Sequence, residues 1–308
     1  MKPKEFYVET QDKRKLRVLK FTPNTKEIQG VVHILHGMGE HAKRYQAFGE
    51  FLTSKGYVMY AHDHRNHGGS LKKNQDIGIF DITETFEVVV RDVKDVHDFI
   101  LKHEEVKDLT MLGHSMGSII LRRYLQQFSS DVDRAIIMGS PPVQNPFSLA
   151  MTRAFVHLSG SCKSRAKRHK FVANMLNNSI RKPIKKAKTS LDWLSHNPDN
   201  IEAYHKDPKS GFTYNKYFYR YFLRCLYTTN KPSEMKKSPL IPHLYISGVD
   251  DPMSKNMKQI HKLARRQKAY VPFHEMKIIG IENARHEVLN EKAPEKTYDK
   301  ILQWIKDH

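Results

Sequence analysis

Gly113-His114-Ser115-Met116-Gly117 sets a serine between two glycines, after the apolar run Leu109–Leu112 and before Ser118-Ile119-Ile120-Leu121, which opens a helical pattern. On a sharp strand-to-helix turn a serine has a strained backbone and an exposed hydroxyl. The glycines remove side chains that would collide, and the helix N-terminus favours negative charge developing in front of it. The chemistry these residues suit is nucleophilic attack on a carbonyl; the alternative is a glycine-rich turn with a capping serine. Such a nucleophile needs a base, and the base needs an orienting acid. Tyr245-Ile246-Ser247-Gly248-Val249-Asp250-Asp251-Pro252 reads as a strand running into an acidic turn, and Ala284-Arg285-His286-Glu287 as a loop after a later strand. Serine, acid, histidine is the chain order that accompanies this kind of turn. His286 is the expected base, and Asp250 and Asp251 compete as the acid. His261 and His274 read as lying in or beside regular structure, away from the sheet rim.

Acyl transfer also needs two backbone donors for the developing oxyanion. One is the N–H of Met116. The other is expected in His36-Gly37-Met38-Gly39-Glu40-His41, after the strand ending at Leu35. There Gly37 and Gly39 let the backbone come close, and Met38 donates its N–H.

Two other chemistries compete. His62-Asp63-His64-Arg65-Asn66-His67 gathers three histidines and a carboxylate, which are zinc-ligand types. The spacing matches neither His-x-His-x-Asp-His nor His-Glu-x-x-His, so the segment reads as a polar loop with an Asp63–Arg65 pair. Tyr214, Tyr217, Phe218, Tyr219, Tyr221 and Phe222 are interleaved with basic residues, a pattern that can stack bases. They equally fit a helical core stripe, and no nucleic-acid module signature accompanies them. No nucleic-acid partner is expected.

The elements that must position these residues follow from periodicity. Gly30–His36, Tyr57–Ala61, Leu109–Gly113 and Ala135–Gly139 are short apolar runs of the buried parallel-strand type. Between them lie helical stretches at Tyr45–Lys55, Thr85–His103 and Ser115–Phe128. The alternation predicts an α/β fold with a mostly parallel sheet covered on both faces. Glu5–Thr10 and Leu16–Phe21 have no helix between them and are expected to form an antiparallel hairpin at one edge. The alternation stops at Ser140-Pro141-Pro142. It resumes at Pro239, with strands at His243–Ser247 and Glu275–Ile279 and helices at Lys255–Gln267 and Glu295–Asp307. The expected organisation is a core of 1–140 and 239–308 with a helical insert at 141–238.

The 308 residues carry a net charge of +19. The insert holds nineteen Lys and Arg against five Asp and Glu, so +14 of that surplus lies in under a third of the chain. A basic face of this kind predicts transient contact with an anionic membrane surface. The expected contacts are Arg165, Lys167, Arg168 and Lys170, with Arg181, Lys182, Lys185, Lys186 and Lys188. Two cysteines, Cys162 and Cys225, exclude a disulfide scaffold and fit a reducing compartment. No apolar run has the length of a membrane span, and no secretory signal is visible behind Met1. The expectation is a cytoplasmic protein, peripheral at the inner membrane face.

With these motifs assembled, the sequence resembles the α/β-hydrolase superfamily, and within it the bacterial lysophospholipase and monoacylglycerol-lipase group, which has a serine aminopeptidase S33-type domain. The resemblance runs through His36–His41, Asp63-His64-Arg65-Asn66-His67-Gly68-Gly69-Ser70, the Ser115 turn, Asp251-Pro252 and Arg285–Glu291. In the insert it includes Trp193-Leu194-Ser195 and Asp207–Phe212. Asn66 departs from it, a glycine being usual there. The resemblance implies an α/β-hydrolase core with an inserted cap, and its Gly-x-x-Asp-Pro spacing selects Asp251 over Asp250. It further implies hydrolysis of single-chain lipid esters through an acyl-enzyme on Ser115, with no metal or organic cofactor. Short-chain carboxylesters and small amides or peptides are the alternative substrates, and a non-enzymatic member of the fold is a further alternative. Phe155, Leu158, Trp193, Leu194 and Phe212, with Phe171, Met175 and Leu176, are the candidate acyl-pocket residues.

Overall fold

The computed structural model describes residues 2–105, 108–142, 150–152, 154, 156, 167–181, 184, 187–271 and 275–308. Eight strands form one sheet: β1 (Lys4–Glu9), β2 (Lys15–Phe21), β3 (Gly30–Leu35), β4 (Tyr57–His62), β5 (Leu109–His114), β6 (Arg134–Met138), β7 (His243–Gly248) and β8 (Met276–Ile281). Their spatial order is β1-β2-β4-β3-β5-β6-β7-β8. β1 and β2 pair antiparallel, as do β2 and β4; every other pairing is parallel. The five strands β3 to β7 are buried along their whole length, which explains why they read as continuous apolar runs instead of alternating ones.

The helices divide between the two faces. α1 (Gln46–Ser54) and α9 (Glu295–Asp307) cover one face through residues such as Phe48, Tyr298 and Trp304. α2 (Phe86–His103), α3 (Met116–Leu125), α6 (Lys216–Thr229) and α8 (Lys258–Tyr270) pack on the other. Val89, Val93, Val96 and Ile100 form the buried stripe of α2. The chain between β6 and β7 supplies α4 (Lys170–Arg181), α5 (Pro198–Lys206), α6 and the single turn α7 (Pro232–Met235). Asn197 and Asn215 cap α5 and α6, their side chains accepting the amides of Asp199 and Phe218. Tyr214, Phe218, Tyr219, Tyr221 and Phe222 are buried in the core, so this aromatic run is a packing stripe and not a base-stacking surface.

Two expectations need correction. The helix expected from Lys255 begins at Lys258. Lys255, Asn256 and Met257 all have positive φ (49°, 52° and 64°), a left-handed turn that helical periodicity cannot reveal. The polar loop after β4 is buried from His62 to His67, and in it Asp63 does not pair with Arg65. Asp63 takes the Arg17 Nε at 2.7 Å, while Arg65 is held by Asp92 and Asp12. Burial of the loop brings partners from β2 and α2 that the sequence places far away. Asn66 has φ 62°, which explains why glycine suits this position. Its side chain accepts from Arg14 and donates to Glu84, at 2.8 and 3.0 Å.

Candidate active site

The parallel strands end along one rim, and the residues singled out above gather there. β5 runs into Ser115, whose backbone sits at φ 51° and ψ −114°, and α3 begins at the next residue. This strained turn is possible because its flanks are glycine. A Cβ on Gly113 would lie 2.5 Å from the Gly117 carbonyl, and one on Gly117 would lie 2.1 Å from the carbonyl of Leu35. The turn is pinned by the Ser115 N–H on Met138 O at 2.9 Å and by the Ser118 hydroxyl on Ser115 O at 2.6 Å.

His286 and Asp251 come from loops after β8 and β7. The two loops approach so closely that a Cβ on Gly248 would lie 2.1 Å from the carbonyls of Ala284 and Arg285. His286 Nδ1 is 2.9 Å from Asp251 Oδ2, and both side chains are 1% exposed. Asp251 Oδ1 accepts the Met253 N–H at 2.8 Å, and Oδ2 also accepts the Ser247 hydroxyl at 3.2 Å. A carboxylate only accepts, so the His286 Nδ1 carries the proton and Nε2 presents a lone pair. That Nε2 is buried and has no hydrogen-bond partner among the described residues. Asp250 is 47% exposed and lies 2.9 Å from His196 Nε2 at the surface.

Met38 and Met116 both border the cavity beside Ser115. Among the described residues, neither of their amides donates to a protein acceptor. Beneath them lies an ionic network that no short motif discloses. Glu40 Oε1 accepts the Gly37 N–H at 2.6 Å and the Tyr45 hydroxyl at 3.0 Å, and is 2.9 Å from His114 Nδ1. Arg44 bridges Glu40 and Glu287, meeting the latter with both guanidinium nitrogens at 2.5 and 2.8 Å. Burial alone would raise the Glu40 pKa, but His114 and Arg44 outweigh it and hold the carboxyl well below its ordinary range. Burial likewise disfavours the His114 cation, yet Glu40 more than compensates and raises its pKa. His114 Nε2 lies 3.2 Å from the His286 carbonyl, so a buried ion pair braces the loop that carries the imidazole.

The cavity over Ser115 has a volume of about 410 Å³. Trp193, Leu194 and Phe212 line it, together with Leu191, Tyr219, Phe222, Leu223 and Met253. The Trp193 ring stands 5.1 Å from that of His286. Phe155 and Leu158 lie outside the described residues, as does the side chain of Leu176. Phe171 and Met175 do not line the cavity: they are 63% and 38% exposed, because α4 turns Val172 and Ala173 inward. Among the described residues, no group of three or more His, Cys, Asp and Glu side chains could hold a metal ion.

An eight-stranded, mostly parallel sheet carrying a serine on a strand-to-helix turn and a histidine–aspartate pair at the same rim is the architecture of an α/β-hydrolase. Residues 26–293 match the family described as serine aminopeptidase S33, and the chain belongs to that family. It is similar to the human monoglyceride lipase, 23% identical over 90% of this chain and 82% of that protein. It is also 23% identical to the monoacylglycerol lipase of Mycolicibacterium smegmatis, over 94% of this chain and 91% of that one. Among solved structures, a thermostable carboxyl esterase from Bacillus coagulans superposes with a TM-score of 0.87 at 22% identity, covering 100% and 99% of the two chains. A soluble variant of the monoglyceride lipase of Saccharomyces cerevisiae gives 0.75 at 20% identity, covering 100% and 96%. The protein is a hydrolase of this fold.

Proposed function

We propose that the protein hydrolyses carboxylic esters of single-chain lipids, of the monoacylglycerol or lysophospholipid type, through an acyl-enzyme on Ser115. Ser115 Oγ attacks the ester carbonyl while His286 Nε2 takes its proton. The tetrahedral oxyanion is held by the Met38 and Met116 amides. Collapse breaks the bond to the alcohol, which leaves with the proton from His286. Water then attacks the acyl-serine with His286 as base again, releasing the fatty acid and restoring Ser115. Asp251 fixes the imidazole tautomer and stabilises the imidazolium.

The observation that carries this reading is the unpartnered, buried Nε2 of His286 beside a strained serine, in a cavity walled mainly by apolar side chains. That the human and Mycolicibacterium smegmatis relatives are a monoglyceride lipase and a monoacylglycerol lipase supports the monoacylglycerol part of this reading. Replacing Ser115 by alanine is expected to abolish hydrolysis of p-nitrophenyl esters, monoacylglycerol and lysophospholipid, and a fluorophosphonate is expected to label Ser115 alone. Near-wild-type activity in that variant, or labelling elsewhere, rejects the mechanism. Turnover of short-chain esters or small amides to the exclusion of both lipids rejects the substrate class alone.

We further propose that residues 141–238 form a cap that docks transiently on anionic lipid surfaces. Phe171, Met175 and Met151 are exposed, and Phe171 and Met175 share the helix that starts at Lys170. Lys167 and Lys170 are exposed beside them, whereas Arg168 is partly withdrawn and bonds to the Thr213 carbonyl. Arg165, Lys182, Lys185 and Lys186 lie outside the described residues.

A further inference from the structure

The peptide that carries the Met38 N–H is held at its other end, where the Gly37 carbonyl lies 2.8 Å from His36 Nδ1, while the N–H itself donates to no protein acceptor among the described residues; its orientation therefore also depends on the peptides on either side. Both neighbours are pinned. The Gly37 N–H is held by Glu40 from within the loop, at 2.6 Å. The Gly39 N–H is held from the insert, by Tyr214 Oη at 2.6 Å. One peptide further on, the Gly39 carbonyl accepts the Gly211 N–H at 2.9 Å, also from the insert. Gly39 has φ 67°, so its backbone sits where glycine costs least.

The hydrogen-bond directions at Tyr214 are determined. Its oxygen lies 2.7 Å from His67 Nε2, and His67 Nδ1 lies 2.9 Å from the Arg65 carbonyl. A carbonyl can only accept, so Nδ1 carries the proton of the neutral ring and Nε2 must accept. Burial keeps the ring neutral, with a pKa lowered to about 4. The Tyr214 hydroxyl therefore gives its hydrogen to His67, which leaves its oxygen to receive the Gly39 N–H. The ring is fully enclosed, stacked on Phe218 at 3.6 Å and beside Phe212 at 4.9 Å. The Tyr214 carbonyl accepts the His169 N–H at 2.8 Å, immediately before α4.

We propose that Tyr214, oriented by His67, is a positioning residue for hydrolysis: its hydroxyl fixes Gly39 so that the preceding peptide keeps the Met38 N–H turned toward the oxyanion. It touches no reacting atom. The inference rests on Met38 being an oxyanion donor, as read above.

Tyr214→Phe removes one oxygen and keeps the packed ring. The expected result is a fall in kcat of about tenfold to a hundredfold on a p-nitrophenyl ester with KM unchanged, the size that a small misplacement in an active site produces. Affinity for a boronic acid that forms a tetrahedral adduct with Ser115 should fall by the same factor. His67→Leu should lower kcat in the same way, and the double variant should be no worse than Tyr214→Phe alone, because both act through one hydrogen bond. If Tyr214→Phe does not fold, His67→Leu carries the test with the same two readouts. Wild-type kcat with unchanged adduct affinity, a rise in KM alone, or fully additive losses would each overturn the proposal. Ser115→Ala is measured alongside. Activity surviving in it rejects the underlying mechanism, whereas an inactive Ser115→Ala beside a fully active Tyr214→Phe rejects only the positioning role.

Discussion

Asp251 has one oxygen on His286 and the other on the Met253 amide, while its neighbour Asp250 reaches outward to His196. On the proposed mechanism Asp251→Asn replaces an acceptor with a donor beside Nδ1 and favours the wrong tautomer. Steady-state kinetics should show kcat lower by about four orders of magnitude, as in other serine triads. Asp250→Asn should change it little; the reverse ranking would transfer the role to Asp250. That Ser115 and Asp251 come to one rim was legible because each follows or flanks a glycine that encodes a close approach; His286 was expected there only from its place after the last strand, and Asp251 was preferred to Asp250 through the Gly-x-x-Asp-Pro spacing of the resemblance. Gly113, Gly117 and Gly248 each have a backbone carbonyl where a Cβ would go. Tyr214 and His67 were not readable as partners. The bond from Gly39 to Tyr214 spans 175 positions, and nothing local to either residue announces it. Glu40 lay inside the motif after β3, but its hold on His114 exists only once that loop has met the end of β5.

At the scale of elements, the rim of β3 and β4 and the loops that follow carry a row of buried imidazoles. His33, His36, His62, His64 and His67 neighbour one another, with ring centroids 4.2 to 6.2 Å apart for the closest pairs. Burial lowers all five, to about 4 for His62 and His67 even with Asp63 nearby, and His97 on α2 is also lowered to about 4. In the unfolded chain each would take a proton near pH 6.5. As pH falls from about 6.5 to about 4 the unfolded state therefore binds protons that the folded state refuses. Each such ring should lower stability as the pH falls. His114 has the opposite sign: its raised pKa contributes stability that is present throughout this window and is lost only as pH rises through its folded value. Urea unfolding at pH 7, 6 and 5 should show free energies falling steeply with acidity; a flat profile would mean that these rings protonate in place. Strand positions were legible from apolar runs alone, but not the consequence of putting histidines among them. Nor was the late start of α8, since a left-handed turn of Lys, Asn and Met has no composition signal.

For the whole molecule, the uneven charge is the feature most open to measurement. With +14 on the insert, co-sedimentation should show binding to anionic vesicles that salt removes, and little binding to neutral ones. Equal binding to both, or binding indifferent to salt, would reject electrostatic docking and leave the chemistry at Ser115 untouched. The core sheet and its hairpin edge could be read from the order of runs and breaks. How the insert meets the core could not. Trp193 leans on His286, Arg285 bonds to the Asp192 carbonyl, the Glu287 backbone N–H donates to the Leu194 carbonyl, and Asp207 lies 2.5 Å from His41.

Those seams bear on how such enzymes could be recombined. A segment that enters after one strand and returns before the next looks like an exchangeable module, and grafting another family member's 141–238 onto this core would be the obvious route to new substrate ranges. Here, however, residues 192–195 and 207–215 are bonded to or packed on the loops of the rim, and on the proposed mechanism they support the site. A graft cut at the sequence boundaries would carry away the supports of both His286 and Gly39. Hybrids that keep 192–215 with the core should retain turnover, and those that replace the whole insert should fold around an idle serine. The natural unit of exchange is therefore smaller than the insertion, and its borders follow hydrogen bonds, not the order of strands.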